Sequence, residues 1–520
     1  MPTLTIDNQR VEVPDGATIL DAARALGIDI PTLCFRQGLA PSTSCMVCVV
    51  KVNGKPGLRP ACATVAEDGM VVESETDEVR AARRTALELL LGDHLGDCVG
   101  PCHALCPAQM DIPRMIRQIA DGRFADAIAT VRRDIPLPAI LGRICPAPCE
   151  KGCRRGDHDA PVAICLLKRF VADADLATHT PCLPECAPST GKRVAIVGAG
   201  PAGLSAAWFL LQQGHACVVF DDRERPGGTL RHAVSAERLP RDVVDAEAAL
   251  VERLGAEFRL GARVGDAVSL DELRRDFDAV LVAAGEGCAD ALDLPCGAKG
   301  IEIDRHTLAT PIGGVFAAGS AVRPQRMAVR AMADAKAAAA SIGQFLAGEP
   351  VTGLPKLFTT RVGRLTDDEL AAFAEGASDA ARLSPAAGAG GGFTEAEARA
   401  EATRCLHCDC RKPTTCKLRR YAQAYGASPS RHKGERRRFA RHATHPDIVY
   451  EPGKCIACGL CVQIAAKAGD ALGLTFVGRG FDVRIGVPFD ETIAAGLANA
   501  ARACAAACPT GALALKEGDG

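Results

Sequence analysis

Twenty-five cysteines stand in groups along a chain of 520 residues, and their spacing is that of metal ligands. Cys34, Cys45, Cys48 and Cys62 follow C-x10-C-x2-C-x13-C. Four thiolates with one tight C-x2-C can wrap a 2Fe-2S cluster, because loop residues point inward at one metal pair. A four-thiolate zinc site is the alternative. Seven more cysteines fall in 98–165: Cys98, Cys102, Cys106, Cys145, Cys149, Cys153 and Cys165. Cys405, Cys408, Cys410 and Cys416 follow C-x2-C-x1-C-x5-C, dense enough for a 4Fe-4S cluster or for zinc. Iron–sulfur is favoured there because redox-type groups surround it. Cys455, Cys458 and Cys461 with the remote Cys508-Pro509 can hold one 4Fe-4S cluster.

A second kind of chemistry sits between these groups. Gly198-Ala199-Gly200-Pro201-Ala202-Gly203 follows the apolar run RVAIV and precedes a helical pattern. Its first Gly permits a turn, the second lets backbone approach a pyrophosphate, and the third allows close helix packing. Asp221, 18 residues past the last Gly, ends the next strand, where it would meet ribose hydroxyls. Gly227-Gly228 follows, and Gly319-Ser320 lies further on, within GGVFAAGS.

Several elements must position these groups. Residues 1–76 open with Leu4 and Ile6, then Val11 and Val13, in strand alternation; Asp15-Gly16 marks a turn, and Thr18–Leu26 reads as a short helix. Residues 77–180 read as helical, and 192–348 as strand, glycine turn, helix, strand. The small-residue stretch 375–392 reads as a flexible linker, followed by a cysteine-rich segment at 393–445 and a last domain at 446–520. Lys417–His442 carries nine Lys/Arg and one acid, either a solvated face or a docking patch for an acidic partner.

Composition removes other classes. Net charge is −2 and aromatics are 4%, with one Trp, which speaks against nucleic-acid binding. No run of 18 or more uncharged apolar residues predicts a membrane span, and the N-terminus lacks the layout of a secretory signal. Clustered thiols predict a reducing, cytoplasmic setting and metal ligation rather than disulfides. No Ser/His/Asp triad, zinc-hydrolase motif or P-loop is present, so no catalytic residue is assigned.

The spacing of Cys34, Cys45, Cys48 and Cys62 resembles the N-terminal domain of complex I large iron–sulfur subunits, iron hydrogenases and some formate dehydrogenases. The segments HLGDCVGPCHALCPAQMDIP and LGRICPAPCEKGCRRGDHDAPVAICLLKRFVAD resemble the helical domain of the glutamate synthase small subunit and of dihydropyrimidine dehydrogenase. That resemblance implies two interleaved 4Fe-4S clusters. By position, Cys98, Cys102 and Cys153 serve one; Cys106, Cys145 and Cys149 serve the other. The family's first cysteine falls near His94, a possible fourth ligand or a plain capping residue. Its non-cysteine ligand falls on Lys168, a poor donor, so Cys165 one turn earlier is expected to substitute. The alternative for Cys165 is a buried structural cysteine.

FDAVLVAAGE and GGVFAAGS resemble the closing motifs of the same family's FAD domain, although Ser320 stands where an acid is usual. Only 28 residues separate Gly285 and Gly314, where relatives insert an NAD(P)H unit, so that unit is expected to be missing. FVGRGFDVRIGVPF resembles the two-cluster tail of complex I and formate dehydrogenase subunits, with Ala465, Ala498 and Ala501 in place of ligands and Cys504 left over. That tail ends where relatives begin a molybdopterin catalytic domain, so the catalytic centre is expected on another subunit.

The expected architecture is multidomain α+β and α/β: a β-grasp ferredoxin domain, a helical iron–sulfur domain, a Rossmann-like FAD domain and a ferredoxin-like tail. The expected cofactors are FAD, one 2Fe-2S and up to four 4Fe-4S clusters. The expected function is electron transfer between redox subunits of a soluble formate dehydrogenase- or hydrogenase-like oxidoreductase. A self-contained NAD(P)H-dependent reductase and a redox-inactive scaffold are the alternatives.

Overall fold

A computed structural model describes residues 1–388 and 390–516. Parts of the expected linker (Ala389) and of the expected last domain (517–520) lie outside the described residues. The chain divides into two interleaved units: 1–99, 358–375 and 408–520 form one; 100–357 and 376–407 form the other. The consecutive domains expected from the sequence are thus threaded through each other along the chain.

In the first unit, β1 (Thr3–Ile6) turns into β2 (Gln9–Glu12) through Asp7 and Asn8, both left-handed. Two positive φ values match the twist that a two-residue hairpin needs. Leu4 and Ile6 point inward while their Thr neighbours face outward, as alternation predicts. The expected helix is α1 (Ile19–Ala25), started by a reciprocal capping box between Thr18 and Asp21. With β3 (Val49–Val52), β4 (Arg59–Pro60) and β5 (Val71–Glu73), the sheet order is β2-β1-β5-β3-β4. The β1–β5 pair is parallel, the β3–β5 pair antiparallel. Leu4, Ile6, Leu20, Ala23, Val50 and Val72 form the core between sheet and helix.

Helix α2 (Asp77–Gly92) leaves this sheet and ends two residues before His94. Its fully buried Arg83 donates to Glu75 and to the Tyr425 hydroxyl, both at 2.7 Å, and to the Val49 carbonyl at 2.9 Å. In the last third of this unit, strand Ile448–Tyr450 pairs antiparallel with Leu513–Leu515. That register brings the loop beginning at Cys455 beside Cys508. The basic run does not form an open patch: Arg436 grips Glu369 with two bonds, Arg437 meets Asp93, Arg438 meets Asp368 and Arg441 meets Glu451.

The second unit opens with short helices: α3 (Pro101–Leu105), α4 (Ile112–Ala120), α5 (Phe124–Arg132), α6 (Pro138–Ile144), α7 (Pro148–Lys151) and α8 (Ile164–Leu176). Four of them carry Pro in the first turn, where the missing N–H costs nothing. Next come β6 (Arg193–Val197), α9 (Pro201–Gln212), β7 (Ala216–Asp221), β8 (Glu257–Leu260) and β9 (Ala279–Val282). With strand Val315–Ala317 they form one parallel sheet, ordered (315–317)-β9-β6-β7-β8. The alanine-rich helix Ala328–Leu346 buries Ala335, Ala338, Ala339 and Ile342 in the core that includes α9. No described helix is long and apolar enough to cross a membrane. The expected linker is pinned to this unit: Arg169 donates to the Gly390 and Gly391 carbonyls, and Arg382 to Glu150 and the Pro161 carbonyl.

Candidate functional site

The loop before β3 carries Cys45 and Cys48, with Met46 in left-handed backbone so that the chain can wrap. Cys34 lies on the preceding loop and Cys62 just after β4, and all four are buried. Their sulfurs form two pairs, Cys34–Cys45 at 3.3 Å and Cys48–Cys62 at 3.4 Å. The Cys45 hydrogen bond pulls the Cys34 thiol down to about 5, and the Cys62 hydrogen bond pulls Cys48 down to about 7. Their partners, Cys45 and Cys62, are correspondingly pushed up. Two thiol pairs match two irons, each holding two cysteines and sharing bridging sulfides; a zinc ion would draw all four sulfurs to one centre.

A second set in the same unit departs from the expected grouping. Cys98 lies beside Cys410 and Cys416, where the expectation grouped it with Cys102 and Cys153, and His94 lies near Lys454 and Glu451. The Cys410 N–H donates to the Cys98 carbonyl at 3.4 Å, and the Cys98 thiol sits 3.3 Å from the Thr360 hydroxyl. Cys416, buried, caps the helix Lys417–Ala424 by accepting from the Arg419 N–H. Burial pushes its thiol up to about 12, helped by the charges of Cys410 and Cys98. His94 Nδ1 is shielded from water and has no hydrogen-bond partner. Burial, with the Lys454 charge, drops its pKa to about 4, so the ring is neutral and keeps a lone pair. Beside this set lies the buried ion pair Lys454–Glu451.

The third set, also in this unit, is Cys455, Cys458, Cys461 and Cys508. They line a small cavity whose remaining wall includes Tyr450 and Ile485. Ala457 and Gly459 are left-handed, and the Ala457 N–H donates to the Cys455 sulfur at 3.3 Å. Burial pushes Cys455 to about 11 and Cys458 to about 12. Cys504 is fully buried in a separate packing position, its thiol 3.6 Å from the Cys461 carbonyl.

In the second unit, four helix ends deliver one set. Cys106 follows α3, Cys145 follows α6, Cys149 lies in α7 and Cys165 in α8. Cys165 hydrogen-bonds Cys145, which lowers it; the bond to Cys149 and burial outweigh that and leave it at about 11. Cys165 thus lies beside Cys145 and Cys149. Lys168, one turn further on, is buried with Nζ 3.9 Å from the Cys165 sulfur. It lines the same cavity as Cys106, Cys145 and Cys149. Glu247, fully buried, accepts from the Ala139 and Ile140 N–H groups at 2.7 and 2.9 Å and so caps α6. Lys168 stands where the resemblance puts the family's non-cysteine ligand, whereas no sequence signal marked Glu247 as a cap.

Cys102, Cys153 and Cys405 are the remaining cysteines of interest in this unit. A Cβ on Gly152 would collide with the Leu105 side chain of α3, so the residue before Cys153 packs on the helix that carries Cys102. Arg155 donates to the Arg404 carbonyl at 3.1 Å, which brings Cys405 to the same region. The C-x2-C-x1-C-x5-C run is therefore divided: Cys405 belongs to this unit and Cys408, Cys410 and Cys416 to the other. Among the described residues no group of three or more His, Cys, Asp or Glu converges as ligands of one ion. Cluster ligands do not need to, since each cysteine of a cubane bonds a different iron.

The nucleotide residues gather at the end of β6. Gly198 is left-handed, and a Cβ on Gly203 would collide with its carbonyl oxygen. Helix α9 begins at Gly200 with no side-chain cap, so its first N–H groups face the loop. Gly227-Gly228 packs on this loop, where a Cβ on Gly228 would sit 2.8 Å from the Gly200 Cα. Asp221 accepts from the Ala199 N–H at 2.6 Å and the Arg223 N–H at 2.9 Å, and lines a cavity of about 210 Å³ with Gly198, Arg263, Glu286 and Cys288. Gly319 approaches the start of α9, where a Cβ would lie 2.9 Å from the Ala202 Cβ, and Ser320 follows it, half-buried. The sequence reading missed Asp334, whose carboxylate accepts from the Gly319 backbone beside Ser320. Between Gly285 and Gly314 lie only a short turn and a two-residue hairpin.

Residues 1–77 match the family model of a 2Fe-2S iron–sulfur cluster binding domain. Residues 95–180 match dihydropyrimidine dehydrogenase domain II, 4Fe-4S cluster, and 196–257 match a NAD(P)-binding Rossmann-like domain. The NADP(+)-dependent formate dehydrogenase subunit beta of Moorella thermoacetica is 40% identical over 206 residues, 36% of this chain and 29% of that one. The NAD-dependent dihydropyrimidine dehydrogenase subunit PreT of Salmonella typhimurium is 37% identical over 205 residues, 39% and 49% of the two chains. The glutamate synthase [NADPH] small chain of Mycobacterium tuberculosis is 37% identical over 202 residues, 38% and 41%. The chain spans under half the length of each of these relatives. It is thus similar to oxidoreductase subunits, and it carries iron–sulfur domains and a nucleotide-binding Rossmann-like domain.

Proposed function

We propose that this chain is an electron-transfer subunit that carries electrons through iron–sulfur clusters and FAD between partner subunits of a larger oxidoreductase. The supporting observation is the sorting of buried ligands into separate sets of three or four. On this reading Cys34, Cys45, Cys48 and Cys62, in a β-grasp ferredoxin fold, hold the 2Fe-2S cluster. Three cubanes belong to Cys455/Cys458/Cys461/Cys508, to Cys106/Cys145/Cys149/Cys165 and to His94/Cys98/Cys410/Cys416. A fourth belongs to Cys102, Cys153 and Cys405.

Such clusters pass electrons singly, and a bound flavin exchanges one or two. The residues of this chain do the rest: they bury the ligands, hold the His94 ring neutral, and present the α9 N–H groups, Gly200 and Asp221 to a dinucleotide. FAD is favoured over NAD(P) because Gly227-Gly228 and Gly319-Ser320 meet the same loop, whereas 286–313 is too short for a further nucleotide unit. The test is anaerobic iron, sulfide and flavin analysis with EPR. About 18 irons are expected, two for the binuclear site and four for each cubane. Zinc alone, or no metal, refutes the reading. Rapid flavin bleaching by NADH or NADPH in the isolated chain would instead establish the self-contained reductase.

A further inference from the structure

Three lysines are buried among the described residues, and two are neutralised in ordinary ways. Lys454 pairs with Glu451, and Lys412 donates to the Ala505 and Cys508 carbonyls at 2.7 and 2.9 Å. Lys168 has neither arrangement. It is 4% exposed, and no carboxylate among the described residues lies within ion-pair distance. Among the described residues its hydrogen-bond partner is the Cys165 sulfur at 3.9 Å. The groups around it are Cys106, Cys145 and Cys149, in a cavity otherwise lined by Met110, Ile112, Ile135 and Ile164. An ammonium buried among apolar side chains with no counter-charge is strongly disfavoured. The only source of negative charge in this cavity is a set of thiolates, and a cubane bound to four of them is an anion.

We propose that Lys168 is the fixed counter-charge of the cluster on Cys106, Cys145, Cys149 and Cys165, and that it raises that cluster's reduction potential above what the same ligands would give without it. This deepens the ligand assignment above and rests on it. On reduction the cluster gains one electron from its donor and becomes more negative by one charge. The nearby cation stabilises the reduced form more than the oxidised one. No proton moves, because the ammonium is present in both states. Lys168 is a tuning residue and bonds no iron.

The test is an anaerobic EPR-monitored redox titration of the full chain as wild type, Lys168→Met and Lys168→Arg. Lys168→Met is expected to make one cubane at least tenfold harder to reduce, a fall of about 59 mV for one electron. The other clusters should not move, and Lys168→Arg should restore most of the shift. Unchanged midpoints in Lys168→Met at full iron content overturn the proposal. A second measurement covers a variant that fails to load. With iron stripped, the wild type keeps an ammonium without its anion, so apo Lys168→Met should melt above apo wild type. The reverse order overturns the proposal. Failure of the underlying ligand reading is read separately, as wild-type iron that does not fall in Cys165→Ser.

Discussion

Removing the Glu247 carboxylate should loosen the helix that delivers Cys145. Glu247 is fully buried and accepts from the N–H groups of Ala139 and Ile140, in the first turn of α6. Glu247→Ala leaves both donors buried without partners. Each orphan costs about 1–3 kcal/mol, so the pair costs about 2–6 kcal/mol, centred near 4. That cost falls on the local opening of α6 rather than on the whole chain. At about 1.4 kcal/mol per factor of ten, amide exchange over 138–145 should accelerate by roughly a thousandfold. Hydrogen exchange read by mass spectrometry on the full chain resolves this, with peptides from β1 and β2 as internal controls. Glu247→Gln keeps one acceptor and should fall between wild type and Glu247→Ala. Exchange over 138–145 that stays within threefold of wild type refutes the capping argument. An equal acceleration in every peptide would show global destabilisation instead, and would refute it too.

Other expectations concern the same groups. Burial pushes the Glu247 carboxyl up to about 7, against an ordinary 4.5. The folded chain therefore holds that proton between those values while the unfolded chain has released it, and stability falls as pH rises through the window, by about 3 kcal/mol; in Glu247→Gln the slope should vanish from pH-dependent exchange. His94→Ala and Cys410→Ser should each remove about four irons and leave the 2Fe-2S EPR signal. The double variant should lose no more than either single one, whereas His94→Ala combined with Cys405→Ser should lose about twice as much; additive loss from His94 and Cys410 would show that they serve different clusters. Cys504→Ser should leave the iron content unchanged, and any loss would make that buried thiol a ligand.

What the sequence made visible was local. The 2Fe-2S loop, the Cys455–Cys461 run and the Gly198–Gly203 fingerprint each lie within a short stretch, where spacing alone constrains which side chains converge. Alternation at Leu4 and Ile6 and the Thr18 cap were legible for the same reason. Partnership between distant segments was not. Cys98 meets Cys410 only because a whole unit is inserted between them, and no periodicity records that. The tight spacing from Cys405 to Cys416 suggested one site, yet the chain passes from one unit to the other inside it. Glu247 was invisible because a buried charge looks, in sequence, like any surface residue on an amphipathic helix.

The interleaving of the two units also fixes an order of events during synthesis. At roughly 5–20 residues per second, Cys98 leaves the ribosome roughly 15–60 s before Cys410. Over that interval the segment 100–357 emerges complete and can fold around Cys106, Cys145, Cys149 and Cys165 while half of the His94 set is still unmade. Iron delivery to the nascent chain would therefore reach the second unit's cysteines before the first unit could close, and a chain truncated before 408 would be expected to carry metal in its middle and none at His94.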